Sequence, residues 1–205
     1  MTSFGAYSDA HATALAIQAD SKLVVAGEDL TDTRGERGYF AVALARYNTG
    51  GALDPSFGTG GRVVARISEY GSGAHAAVLQ PDGKIVVAGA AGDSPVLLRY
   101  TADGKLDPSF GTRGMATVSS FVDGLALQQD GKFVVTGSVD GSNSRRDPRD
   151  IAVSRYTPNG SFDPTFGRGG KTVTDLGAGA IANAVALQAN GKIVAAGTVT
   201  AATSR

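Results

Sequence analysis

The chain has 205 residues, with 19 basic and 19 acidic side chains, 29 glycines and no cysteine. A formal charge of zero gives no long-range field toward nucleic acid or an anionic membrane, and the lack of cysteine excludes disulfides, thiolate metal sites and a cysteine nucleophile. No stretch approaches the ~18 apolar residues of a membrane span, and the opening MTSFGAYSDA has neither the basic nor the apolar region of a signal peptide, so neither membrane insertion nor a leader is expected.

Taken in chain order, the sequence repeats itself. Residues 1–10 contain TSFG, which resembles TDLG at Thr174 to Gly177, the end of a later unit. IQADSKLVVAG (Ile17 to Gly27) then opens a first unit, which continues through a long charged segment, Glu28 to Gly38, to ARYNTGGALDPSFGTGG (Ala45 to Gly61). The second unit repeats both halves as LQPDGKIVVAG (Leu79 to Gly89) and LRYTADGKLDPSFGTRG (Leu98 to Gly114). The third does so as LQQDGKFVVTG (Leu127 to Gly137) and SRYTPNGSFDPTFGRGG (Ser154 to Gly170). LQANGKIVAAG (Leu187 to Gly197) repeats the first half alone. The units span approximately 11–72, 73–120, 121–179 and, in part, 180–205 of a single repeat domain. A recurrence of this length marks one supersecondary block stacked on copies of itself.

Each unit contains four apolar runs of strand length. In the second they are HAAVLQ (His75 to Gln80), KIVVAG (Lys84 to Gly89), VLLRY (Val96 to Tyr100) and MATVS (Met115 to Ser119). Asp82-Gly83 and Asp103-Gly104 join the first pair and the last pair, and Asx-Gly dipeptides accept the positive φ of tight hairpin turns. Asp20-Ser21 departs from that pattern. The runs are apolar at consecutive positions, which predicts sheets covered on both faces. The expected fold is therefore all-β, a β-propeller of four-stranded antiparallel blades, with three full blades and a partial fourth. A β-sandwich or β-solenoid is the alternative. The partial blade leaves an open edge, to be met by further repeats, by the N-terminal strand, or by self-association with a second chain to complete a ring.

The same motif, LQPDGKIVVAG followed by RY and G-x-LDPSFG-x-x-G, resembles the delta-60 repeat of bacterial tandem propeller proteins. That resemblance implies a propeller module of an exported or cell-surface protein, and it brings no catalytic assignment with it.

Residues that recur in every copy read as structural. Arg46 and Asp54, Arg99 and Asp107, and Arg155 and Asp163 lie at one constant spacing across a turn, as an ion pair pinning that turn requires; an anion-binding ring of arginines is the functional alternative. Phe57, Phe110 and Phe166 read as core plugs, and Tyr47, Tyr100 and Tyr156 as closing the blade rim. Activity is expected where the copies differ. The connections from second to third strand, Glu28 to Gly38, Ala90 to Pro95 and Ser138 to Arg149, vary most and are expected to be loops.

Five residues before each repeated Gln the copies place Thr13, His75, Asp123 and Asn183, a polar column at the start of the innermost strand. These are the ligand-binding candidates, against the alternative of a solvated rim. His11 falls off the column and reads as a loop residue. No cofactor is implied, and a divalent cation such as calcium is the one left open; Asp29-Leu-Thr-Asp32 and Asp140-Gly-Ser-Asn143 bear only a faint likeness to calcium loops. The leading function is a non-catalytic module that engages protein or glycan through the variable loops, with no nucleic-acid partner. The alternatives are a metal-assisted hydrolase or lactonase at the channel mouth, and a purely structural spacer.

Overall fold

A computed structural model describes residues 4, 9–33, 36–140, 149–177 and 179–200, and the side chains of all of these except 31–33 and 36–38. Every regular element among them is a strand. Three sheets are four-stranded antiparallel meanders: β1 (Asp9–Ile17), β2 (Leu23–Thr33), β3 (Glu36–Tyr47) and β4 (Arg62–Ala65); β5 (Ser72–Leu79), β6 (Ile85–Ala91), β7 (Ser94–Tyr100) and β8 (Met115–Thr117); β9 (Gly124–Leu127), β10 (Phe133–Val139), β11 (Asp150–Tyr156) and β12 (Lys171–Thr174). A fourth sheet is the hairpin of β13 (Gly179–Leu187) and β14 (Ile193–Thr200).

The chain divides into two compact units, Met1–Ala116 and Thr117–Arg205. In the first, β5 packs across β1, β2 and β3, so the innermost strand of one sheet lies on the face of the sheet before it. Val24, Val42, Leu44, Phe57, Ile85, Val87, Leu98 and Tyr100 form the core there. In the second unit β13 packs in the same way on β9, β10 and β11, and its buried Ala180 and Ala182 bring the two sheets close. Burial runs through consecutive residues of β6 (Ile85 to Gly89) and β10 (Phe133 to Ser138), the pattern of strands covered on both sides.

The Asx-Gly turns hold their positive φ at Gly83 (82°), Gly131 (80°) and Gly191 (81°). The aberrant Asp20-Ser21 makes the same turn, with Ser21 itself at 64° and the Asp20 carboxylate accepting the Lys22 N–H at 3.3 Å. Asp103-Gly104 closes only a short hairpin to a bridge between Tyr100 and Leu106; the chain then passes through the Asp-Pro-Ser-Phe corner before reaching β8. The expected loop Glu28 to Gly38 is instead hairpin ladder, with pairing from Leu30↔Phe40 out to Thr33↔Glu36. Thr31, Thr33, Tyr39 and Phe40 have the β-branched and aromatic side chains that suit extended backbone, and they outweigh the charges around them. Ala90 to Pro95 is a tight turn centred on Gly92 and Asp93. Of Ser138 to Arg149, residues 141–148 lie outside the described residues, as does most of the Asp140 to Asn143 segment.

Candidate functional site

Two sets of repeated residues are set in place by these sheets. The first is a polar network around each Asp-Pro corner. Arg46 Nε donates to Asp54 Oδ2 at 3.0 Å and its Nη2 to Ser56 Oγ at 2.9 Å. Arg99 meets Asp107 and Ser109 at 2.9 and 3.0 Å, and Arg155 meets Asp163 and Thr165 at 2.8 and 3.1 Å. The other carboxylate oxygen accepts both the N–H and the hydroxyl of the Ser or Thr two residues on, at 3.0 and 2.7 Å for Asp107 and Ser109. Each guanidinium also lies over the Phe of its corner, 4.8, 4.7 and 4.8 Å from the ring centres of Phe57, Phe110 and Phe166. Phe57 and Phe110 are fully buried, and Phe166 is half-buried.

A lysine that stands at the head of the second apolar run of each repeat completes the network. Lys22, Lys84 and Lys132 reach Asp54, Asp107 and Asp163 at 3.1, 3.4 and 3.2 Å, while Lys84 also stays 3.2 Å from Asp82 in its own turn. The lysine of the DGK turn thus ties the second strand to the corner that follows the third. Tyr100 and Tyr156 are not at the rim: both are buried to 1% exposure, where the strand end turns inward above the corner. Burial pushes both hydroxyls up, and that of Tyr156 accepts the Ser119 N–H at 3.1 Å.

Hydrogen bonds from Ser56, Ser109 and Thr165 hold the three corner carboxyls well below the usual carboxylate range, to about 2 for Asp107. A carboxyl depressed in the folded state and ordinary, near 3.8, in the unfolded one adds stability that is complete above the unfolded value and is lost as pH falls through the folded value. Denaturant titrations are therefore expected to show constant stability from pH 7 to about 5 and a decline from about pH 4 downward. Asp107→Asn is expected to be less stable at pH 7 and to show a shallower acid decline.

The second set is the polar column. Each of its members is the extra residue of a β-bulge, a feature that one additional backbone residue creates and that re-aims a side chain. The register slips between Ala12 and Ala14, between Ala74 and Ala76, and between Ala182 and Ala184, which leaves Thr13, His75 and Asn183 unpaired on the ladder. Asp123 occupies the same place: its N–H donates to Thr136 O at 2.9 Å, while Phe121 N–H donates to Ser138 O at 2.9 Å. Opposite every bulge stands the Gly of the VVAG run. A Cβ on Gly27, Gly89, Gly137 or Gly197 would sit 1.9, 2.0, 2.0 or 1.8 Å from the carbonyl oxygen of His11, Gly73, Phe121 or Ile181, so the bulge dictates glycine there.

In the first unit, Thr13 Oγ1 donates to Ala74 O at 2.6 Å, tying one bulge to the residue beside His75; His75 itself is exposed. In the second unit, Asp123 is half-buried just before β9, and Asn183 is exposed on β13, where its Oδ1 accepts the Thr198 hydroxyl at 3.5 Å. His11 is a strand residue of β1, paired with Glu28, its Nε2 3.5 Å from Asp9 Oδ1. Asp29 is likewise in a strand and buried, and burial, with Asp9 nearby, pushes its carboxyl up. Among the described residues no three His, Asp or Glu side chains are grouped to hold a metal ion, and no helix is long and apolar enough to cross a membrane.

The sequence reading did not single out the aromatic surface at the variable-loop end of each unit. In the first, Tyr70 is 84% exposed beside the Gly92 turn, Phe40 is exposed, and Arg66 stacks over Tyr39 at 5.2 Å. In the second, Arg149 stacks over the exposed Phe121 at 4.3 Å. Neither pair lies in a repeated motif, so nothing in the repeat points to it.

Four-stranded antiparallel meanders that repeat one network and stack by their innermost strands define a β-propeller repeat protein. The chain belongs to the family described as Domain of unknown function (DUF5122) beta-propeller, whose model matches residues 18–57, 80–110 and 128–166, together more than half of it. A solved structure of a protein of unknown function from Bacteroides caccae is similar, with a TM-score of 0.50 and 14% identity over 91% of this chain and 53% of that one. The chain thus spans about half the length of that neighbour, and the likeness is one of fold. No curated protein matches the chain.

Proposed function

We propose that this chain is a non-catalytic binding or scaffold module that engages protein or glycan through the aromatic, variable-loop end of its blades. The observation that carries the reading is the gathering at that end of the exposed aromatics Tyr70, Phe40 and Phe121 with two arginine stacks, Arg66 over Tyr39 and Arg149 over Phe121. Arginine and aromatic side chains supply most binding energy at recognition surfaces, and a stacked guanidinium is already ordered before a ligand arrives. The charged residues of the repeat are, by contrast, engaged within their own networks. The resemblance of the repeat to the delta-60 repeat of bacterial tandem propeller proteins supports placement in a bacterial exported or surface protein.

A glycan array and a panel of purified cell-envelope proteins, probed with the full chain, test this. The expected result is a bound species whose affinity falls about tenfold in Tyr70→Ala or Phe121→Ala and is unchanged in His75→Ala. Hydrolysis of lactone or ester substrates that depends on a divalent cation and disappears in Asp123→Ala would overturn it in favour of a catalytic channel mouth.

A further inference from the structure

Tyr70 stands in the connection between β4 and β5 and is 84% exposed, more than any other large hydrophobic side chain among the described residues. A single exposed aromatic is ordinary, but the backbone of this one is fixed on several sides. Its N–H donates to Ser68 Oγ at 3.1 Å, and the next residue, Gly71, takes φ 95° and accepts the Gly92 N–H at 2.7 Å. Gly92, at φ 59° in the turn from β6 to β7, leaves a seat for the side chain: a Cβ there would be 3.4 Å from Tyr70 Cβ and 3.9 Å from its Cδ2. Gly71 also runs along the backbone of Phe40, whose N and O would each lie 3.7 Å from a Cβ at that position. An open ring on so fixed a backbone presents its face to a ligand at little further cost in entropy.

Charges of both signs surround it. Glu69 precedes Tyr70 and Asp93 follows Gly92, while Arg66 stacks over Tyr39 at 5.2 Å and its Nη2 donates to Glu69 O at 3.5 Å. Arg66, Glu69 and Asp93 are exposed, and none has an ion-pair partner among the described residues. The core of a protein–protein interface is depleted of Asp and Glu, so carboxylates beside the ring make it a poor anchor for a protein. They suit a ligand with one small apolar face and hydroxyls around its rim. A pyranose has that form: its axial C–H groups lie on the negative face of an aromatic ring, and its hydroxyls donate to carboxylates and accept from a guanidinium. A ring as open as Tyr70 covers one face of a sugar, whereas a small free ligand is bound by enclosure, which favours a residue within a polymer. Two unpaired carboxylates against one guanidinium disfavour a polyanion.

We infer that Tyr70, with Arg66, Glu69 and Asp93 around it, is a platform for a neutral polysaccharide, in which the ring stacks on one hexopyranose and the three charged side chains take its hydroxyls. The inference rests on the binding-module reading above and narrows it, at this platform, from protein or glycan to an uncharged glycan. All four residues lie inside the first unit, on the connection between two complete sheets and on a hairpin turn.

The test is affinity electrophoresis of the full chain through gels containing neutral polymers (laminarin, xyloglucan, galactomannan and dextran), acidic polygalacturonate or cationic chitosan. Oligosaccharides of the retarding polymer are then titrated by tyrosine fluorescence, which the absence of tryptophan leaves unobscured. Retardation by at least one neutral polymer, and by neither charged one, is expected. Tyr70→Phe is expected to keep the affinity within about twofold, because the ring does the stacking, and Tyr70→Ala to lower it about tenfold. Gly92→Asn accepts the left-handed turn but crowds Ser68 Oγ and Tyr70 Cβ, and is expected to weaken binding roughly threefold with the melting temperature little changed. Retardation by no neutral polymer, retardation by a charged polymer instead, or neutral-polymer binding that Tyr70→Ala leaves intact overturns the inference. A purified envelope protein bound in a Tyr70- or Phe121-dependent way would then preserve the binding-module reading without the glycan, and dependence of no partner on either residue would remove both.

Discussion

Gly89→Ala is expected to be among the most damaging single-methyl changes in the first unit, costing about 3 kcal/mol or more of stability in urea or thermal unfolding. Its φ lies outside the left-handed region, so alanine suffers no intrinsic backbone strain there; the obstacle is the His75 bulge. The extra residue pushes the Gly73 carbonyl toward β6, and an alanine Cβ would lie 2.0 Å from that oxygen, far inside contact distance. Relief requires parting β5 from β6, and β5 also carries the packing between the two sheets of the unit. Gly83→Ala provides the control. Gly83 has φ 82° in a turn, and its Cβ would meet only Ala102 Cβ at 3.4 Å, so the cost there is the ordinary one of a left-handed alanine, about 1 kcal/mol. A result in which Gly83→Ala is the worse of the two would remove the bulge as the reason for the glycine.

The contrast between those glycines also shows what the sequence makes legible. A turn glycine declares itself through its neighbour, since Asp82-Gly83 and Asn190-Gly191 are local signals of positive φ. A bulge leaves no such mark. Thr13, His75, Asp123 and Asn183 have little in common except polarity, which suggests ligand-binding candidates or a solvated rim but not a bulge; the bulge is recorded by the glycine across the ladder, which is constant in all four copies. Arg99 and Asp107 were legible as partners because only the turn separates them, at a spacing that never changes. Lys84 was not, because the variable segment lies between it and Asp107, so its separation from the carboxylate differs in each copy while the contact does not. Tyr100 was misplaced at the rim for a related reason: a strand end reads as surface until the Asp-Pro corner, which folds back beneath it, is known.

Arg99→Ala is expected to cost about 3 kcal/mol, the scale for breaking a buried ion pair by removing one partner. Arg99 and Asp107 are each 8% exposed at the side chain, so the carboxylate left behind cannot regain its lost donor from water. Lys84, at 33% exposure, still reaches it and keeps the loss from being larger. Arg99→Lys is not expected to rescue, because one ammonium cannot donate to Asp107 and Ser109 in the fixed fork of the guanidinium while covering Phe110. Lys84→Ala removes the more exposed partner and is expected to cost under about 1 kcal/mol. In Arg99→Met with Asp107→Leu no charge is left unpaired, and the double variant is expected to be more stable than Arg99→Ala alone. Should Arg99→Ala and Lys84→Ala cost the same, the network would be a surface ornament of the corner rather than its clamp. The sheet of β9 to β12 adds an internal comparison, since Arg155, at 18% exposure, closes the same network in wetter surroundings, and Arg155→Ala is expected to cost visibly less than Arg99→Ala.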